Sequence, residues 1–183
     1  MSGEWRYDAL TQPLPPGSGE TARRLVEQYR MADPAIVRAT WDPDAPLLGR
    51  EMRLRLRLWR VLWVHVRVRV TRAWYERRDG ARVFGFEYET LPGHLEIGRM
   101  DYEIHERDDG AVEFRLHARS KASGQGAWWA RIGFRLFGRR EQVRFYLRCC
   151  ERMARLTARE LGLPDDPPPP AVRLDRGATP GGA

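Results

Sequence analysis

Lysine is almost missing from this chain. Lys121 stands alone, and arginine supplies the other 31 of the 32 basic residues, against 25 acidic ones. A net charge of +7 suits an anionic partner. Acidic residues are nevertheless interleaved throughout, and the arginine bias goes with abundant Ala, Gly and Pro, so nucleic acid is not the expected partner. Cysteine is scarce too: the two thiols, Cys149 and Cys150, are neighbours. Adjacent cysteines rarely bridge each other, which excludes a disulfide framework. With no C-x-x-C or H-x-x-x-H spacing, a metal site is excluded as well. No apolar run is long enough to cross a bilayer. The opening MSGEWRYDAL lacks the apolar segment of a secretory leader. Free thiols and no leader give the expectation of a reducing, cytoplasmic setting. Nucleophile elbow, phosphate loop and dinucleotide fingerprint are all absent, so no cofactor is implied.

What is present is alternation. Met52, Leu54, Leu56 and Leu58 are interleaved with Arg53, Arg55 and Arg57, the period of a half-buried strand with a basic outer face. That arginine stripe is either a platform for anionic lipid or nucleic acid, or a solvated face that keeps an edge strand from pairing with another chain. Trp59–Trp63 breaks the alternation, and Val64, Val66, Val68 and Val70 resume it. Shorter strands are expected at Trp5–Tyr7 and Ile36–Trp41, with a helix over Ser18–Met31 and a Pro-rich loop over Asp42–Gly49. Gly126–Leu161 reads as mostly helix, stopped by Gly162 and Pro164. The domain is expected to cover residues 1–163. The tail that follows, DDPPPPAVRLDRGATPGGA from Asp165, has the composition of a disordered segment.

Turn residues set the expected pairing. Arg78-Asp79-Gly80 reads as a three-residue hairpin loop that places Arg69 opposite Glu89 and Thr71 opposite Glu87. Trp74 and Arg72 then fall on the inner face with Val68 and Val70. Asp108-Asp109-Gly110 places Glu103 opposite Arg115, Asp101 opposite His117 and His105 opposite Glu113. A Pro92-Gly93 corner places Glu87 opposite Arg99. Opposite charges then meet on the outer face, and His65, His105 and His117 fall there too.

The stretch FGFEYETLPGHLEIG, Phe84–Gly98, joins two of these strands. It resembles the family of unknown function DUF1990, whose members show a string like FGFAYGTLPGHxExGE. Phe84, Gly85, Phe86, Tyr88, Thr90, Leu91, Pro92, Gly93, His94, Glu96 and Gly98 match that string. Glu89 departs from it where a glycine is usual, and Arg99 where an acid is usual. LPPG at Leu14–Gly17 and Gln142 with Tyr146 extend the resemblance more weakly, and Ser18–Asp44 is shorter than in typical members. The resemblance implies an α+β fold of helix-grip type, a curved antiparallel sheet gripping a long C-terminal helix.

The candidate site follows from strand parity. Arg72, Tyr88, Thr90 and Glu96 share a face with apolar residues, and an unpaired charge buried there costs several kcal/mol in practice. Such groups pair, reach solvent, or line a wet pocket. His94 sits at the corner, over the expected mouth. Each has a plainer reading: Tyr88 as core, Thr90 as a cap on the corner, His94 as a surface turn residue, Glu96 as the structural partner of Arg72. The expected function is a binding module for a small apolar or amphipathic molecule, with those five residues as contacts. An enzyme of cyclase or hydrolase type, with Tyr88 and Glu96 as acid and base, is the alternative. A protein docking through the arginine stripe is the third reading. No oligomeric state is implied.

Overall fold

A computed structural model describes residues 6–58, 62–91, 96–122 and 139–174. The chain runs β1 (Arg6–Leu14), α1 (Gly19–Glu27), β2 (Val37–Thr40), β3 (Glu51–Leu58), β4 (Leu62–Arg78), β5 (Ala81–Thr90), β6 (Glu96–Arg107), β7 (Val112–Ala122), α2 (Arg139–Glu160) and β8 (Val172–Arg173). The strands form one antiparallel sheet in the order β2-β3-β4-β5-β6-β7-β1-β8. Its inner face buries Leu10, Leu54, Val68, Phe86, Tyr102, Phe114 and Leu116 against Leu25 and Val26 of α1 and Cys149, Cys150 and Met153 of α2. This is the expected α+β architecture, with the C-terminal helix packed on the sheet.

Turn chemistry explains the registers. The β6–β7 hairpin pairs Glu103 with Arg115, Asp101 with His117 and His105 with Glu113, as its Asp-Asp-Gly turn requires. Between β4 and β5 the loop is shorter than expected. Asp79 and Gly80 both lie at positive φ, +50° and +74°, so the turn is the two-residue primed type. That starts the pairing one residue away from the expected register, with Arg78 opposite Ala81. A β-bulge between Val70 and Arg72 then restores it, and Arg69 faces Glu89 as expected. The bulge overturns two inner-face assignments. Arg72 pairs with Glu87 on the outer face, is exposed, and lies over the Trp74 ring at 5.6 Å. Trp74 pairs with Gly85 on that same outer face.

At the Pro-Gly corner the β5–β6 register is two residues longer than expected. Glu87 faces Asp101, and Glu89 faces Arg99. A shift of two keeps every side chain on its face. Arg99 still reaches both acids, Glu89 at 3.4 Å and Glu87 at 3.8 Å. The corner residues 92–95 lie outside the described residues, as do 59–61 and 123–138; the expected first turns of the last helix fall in that last segment.

Two helix ends use the same device. At the end of α2, the Gly162 N–H donates to Arg159 O and the Leu163 N–H to Ala158 O, with Gly162 at φ +70°, a Schellman stop. At the end of α1 the same pair of bonds forms, Tyr29 N–H to Val26 O and Arg30 N–H to Leu25 O. There the left-handed residue is Tyr29, at φ +55°. Beyond α2 the proline run passes the sheet edge. The Gln12 amide donates to Pro169 O at 2.9 Å, and Val172 and Arg173 pair with Thr11 and Leu10. Part of the segment read as a tail thus acts as an edge strand on β1.

Candidate functional site

The inner sheet face and α2 do not close completely on each other. Between them lies a cavity of about 160 Å³. Leu54 and Leu56 of β3, Val66 and Val68 of β4, Met100 of β6 and Phe145 of α2 give it an apolar wall. Strand alternation explains this wall: each of these strand residues is the inward member of an inward–outward repeat. Tyr29, Tyr88 and Tyr146 bring hydroxyl-bearing rings, and Thr90, Ser120, Glu141 and Gln142 with Arg57, Arg99 and Arg119 make up the polar share of the lining.

Three tyrosines meet beside this cavity. Tyr88 from β5, Tyr102 from β6 and Tyr29 from the end of α1 place their hydroxyls in a triangle, 3.2 Å for Tyr29–Tyr88 and 3.4 Å for each other side. The Tyr88 hydroxyl also points a donor at Met100 Sδ, 3.2 Å away. Burial is the first cause that raises all three phenols above their ordinary value, well above it for Tyr29 and Tyr102. At neutral pH they are protonated: they donate and accept hydrogen bonds and do not take protons from a ligand. Cys149 is fully buried nearby, and desolvation pushes its thiol well up; Cys150 is pushed up to about 12 by burial. Neither is a ready nucleophile.

The predicted site residues separate. Tyr88 and Thr90 line the cavity. Thr90 also caps the corner, its Oγ1 accepting the Gly98 N–H at 3.1 Å. Arg72 is on the opposite face, because of the bulge, and leaves the site. Glu96 opens β6 opposite Ala122, but its side chain lies outside the described residues, as does His94 altogether. Tyr29 and Tyr102 were missed. Tyr102 has the parity of the core and no other mark in the sequence. Tyr29 has the helical spacing of Ala22, Leu25 and Val26 and so reads as core, but it stands just past the helix where glycine is the usual residue, and nothing in the sequence aims its hydroxyl at Tyr88 and Tyr102.

A second concavity, about 680 Å³, lies along the outer side of α2. It is larger but lined mostly by charged side chains, several of which answer each other: Arg148–Glu151 at 3.4 Å, Arg155–Glu151 at 3.3 Å, Arg155–Asp165 at 3.2 Å. Among the described residues no group of three or more His, Cys, Asp or Glu side chains converges as a metal site would need. No described helix is long and apolar enough to cross a membrane.

Residues 4–152 match the family model described as "Domain of unknown function (DUF1990)". The chain belongs to this family. No curated protein matches it significantly. Solved structures match over most of the chain at very low identity. A protein of unknown function, SA2116 from Staphylococcus aureus, is 10% identical, with 87% of this chain and 98% of that one covered and a TM-score of 0.53. Norcoclaurine synthase from Thalictrum flavum, solved in complex with dopamine and hydroxybenzaldehyde, is 4% identical, with 86% and 88% covered and a TM-score of 0.56. A conserved protein from Geobacillus kaustophilus is 10% identical, with 85% and 97% covered and a TM-score of 0.52. At these identities the likeness is one of fold, the helix-grip fold of birch-pollen-allergen-like proteins. Within this DUF1990 member, Tyr88, Thr90, Gln142 and Tyr146 are positions at which the sequence resembles the family, and all four line the cavity.

Proposed function

We propose that this DUF1990 protein is a binding module for a small apolar or amphipathic molecule held between the sheet and α2. The observation that carries this reading is the cavity itself: aliphatic walls with a tyrosine hydroxyl cluster beside them. A space of about 160 Å³ is on the order of one that takes a single aromatic ring. That favours a one-ring or short-chain ligand over a long acyl chain. Burying such a molecule gains about 25 cal/mol per Å² of apolar surface.

The tyrosines supply the polar end. Their O···O separations of 3.2–3.4 Å exceed the ordinary O–H···O distance of about 2.7–2.8 Å. The cluster is loosely bonded within itself and retains capacity for a ligand oxygen. Thr90 is a second contact. Glu96 and His94 stay in the proposal because they lie in the sequence between Thr90 and Gly98, which are bonded to each other. The helix-grip relative crystallised with dopamine and hydroxybenzaldehyde is consistent with the fold accepting one-ring molecules.

Native mass spectrometry of the protein from its own source, followed by solvent extraction, tests the reading. A stoichiometric small molecule is the expected result. Tyr88→Phe should weaken its binding about 3- to 15-fold, one hydrogen bond's worth, with the fold kept. Glu96→Gln should also weaken it. Unchanged affinity in both variants removes these residues from the site. Turnover abolished by Glu96→Gln at unchanged stability would replace the binding module with an enzyme.

A further inference from the structure

The outer face of β2, β3 and β4 is unlike the rest of the sheet. Arg38, Arg53, Arg55, Arg57, Arg67 and Arg69 all stand exposed on it. Glu51 answers two of them, bonding Arg67 at 2.7 Å and also Arg69. Among the described residues, Arg38, Arg53, Arg55, Arg67 and Arg69 against Glu51 carry a formal +4, with Arg57 left out of the sum.

Two cross-strand pairs set arginine directly opposite arginine: Arg38 with Arg55, and Arg53 with Arg67. Like charges in that position destabilise a sheet. Elsewhere on the outer face opposite charges meet, as in Glu89–Arg99, Asp101–His117 and Glu103–Arg115, and where Arg99 faces Arg119 it is answered by Glu87 at 3.8 Å and Glu89 at 3.4 Å. No ion pair of Arg53 or Arg55 occurs among the described residues. The guanidiniums are also held in place. Arg38, Arg55 and Arg57 converge on the Trp63 ring at 5.3, 4.5 and 5.6 Å from its centroid, an arrangement that orients cations.

We infer that this face docks the protein on an anionic phospholipid surface. Guanidinium is the side chain best matched to phosphate oxygens, which it can bind in a fork, and a phosphate layer relieves the repulsion across the two Arg–Arg pairs. The charge alone fits any polyanion. Two observations select lipid. Trp63 is half-buried under three guanidiniums, so the patch offers no open aromatic platform of the kind single-stranded nucleic acid stacks on. The same strands line the cavity from their other side through Val37, Leu54, Leu56, Val66 and Val68. An apolar ligand partitions into bilayer rather than water, and docking these strands holds the pocket one sheet thickness from the layer that stores such a ligand. This second point rests on the binding-module reading.

The test is cosedimentation of the full chain, without added ligand, with vesicles of phosphatidylcholine alone or with about one-third phosphatidylglycerol. Binding is expected for the anionic vesicles alone, and should vanish at about 1 M salt, where the Debye length is about 3 Å. Each arginine near such a surface contributes about fivefold in affinity, so Arg53→Gln with Arg55→Gln should weaken binding roughly twenty-fivefold. Arg53→Lys with Arg55→Lys should retain it. The melting temperature of the Gln variant should not fall, since like charges have been removed. Tyr88→Phe should bind vesicles as the native protein does. Absence of binding to anionic vesicles at low salt, binding unchanged in the Gln variant, or preference for a single-stranded oligonucleotide over vesicles would each overturn the inference. Vesicle binding by a protein whose cavity takes no ligand removes the binding-module reading and leaves the docking face. Ligand binding without vesicle binding does the reverse.

Discussion

Tyr29 holds a left-handed backbone, φ +55°, that costs an L residue about 1–2 kcal/mol. The surrounding structure keeps it there because the turn that ends α1 drops the ring into the core, where its hydroxyl meets Tyr88 and Tyr102. A glycine would relax that backbone and leave a hole beside the cavity. At the same scale, the two thiols are neighbours along α2 and both buried. Burial raises their pKa, so little thiolate exists at neutral pH. Ellman's reagent should leave the native protein unlabelled over minutes and titrate two thiols at once in denaturant. Fast labelling of the native state would mean that α2 lifts from the sheet.

At the scale of elements, the β4–β5 hairpin shows how one bulge reassigns a face. Gly85 lies opposite Trp74, and a Cβ added there would stand 2.6 Å from the indole. The ring occupies the place a side chain would take, and its Nε1 donates to Glu103 Oε1 at 3.2 Å. Gly85→Ala should therefore lower stability by about 1–3 kcal/mol. Combining it with Trp74→Ala should cost less than the two single changes summed, a coupling readable in a double-mutant cycle by urea unfolding. Additive losses would show that the indole is not what requires the glycine. The hairpin also explains why Arg72 was placed inside from the sequence. Parity counted back from Phe84 through a three-residue loop, with no bulge, puts it there.

At the scale of the whole molecule, the outer face carries two kinds of electrostatics. Over β5–β7 it is an ion-paired surface whose centre is buried. Glu103, 1% exposed, accepts from Trp74, Arg78 and His105, the last at 2.8 Å. Desolvation raises its pKa, but the bond and charge of His105, with Arg78 and His117, outweigh it and hold the carboxyl below its ordinary 4.5. A depressed folded pKa stabilises the protein above the unfolded value and ceases to do so as pH falls through the folded one. The melting-temperature gap between the native protein and Glu103→Gln should thus be open at about pH 5 and narrow as pH falls below 4.5. A gap independent of pH would show that Glu103 acts by shape alone. Over β2–β4 the face carries an excess of positive charge, which is where salt should act on binding.

The sequence by itself determined strands β3 to β7, their inner faces apart from Trp74 and Arg72, and the stop of the last helix, because these depend on period-two alternation and on Gly and Pro, which act over a few residues. It also determined the β6–β7 register, since turn type and charge pairing agree there. From the candidate site, Tyr88 and Thr90 were legible by parity and by resemblance to the family. Tertiary structure decided the rest. The bulge that turned Arg72 outward answers a conflict between a two-residue turn and a register fixed farther along the strands, and no local pattern encodes it. The inward turn of Tyr29 is held by packing that overrides backbone preference. The proline run was read as unstructured because its composition cannot build a core. It packs along the sheet because β1 offers an open edge and Gln12 a donor, and both come into being with the sheet.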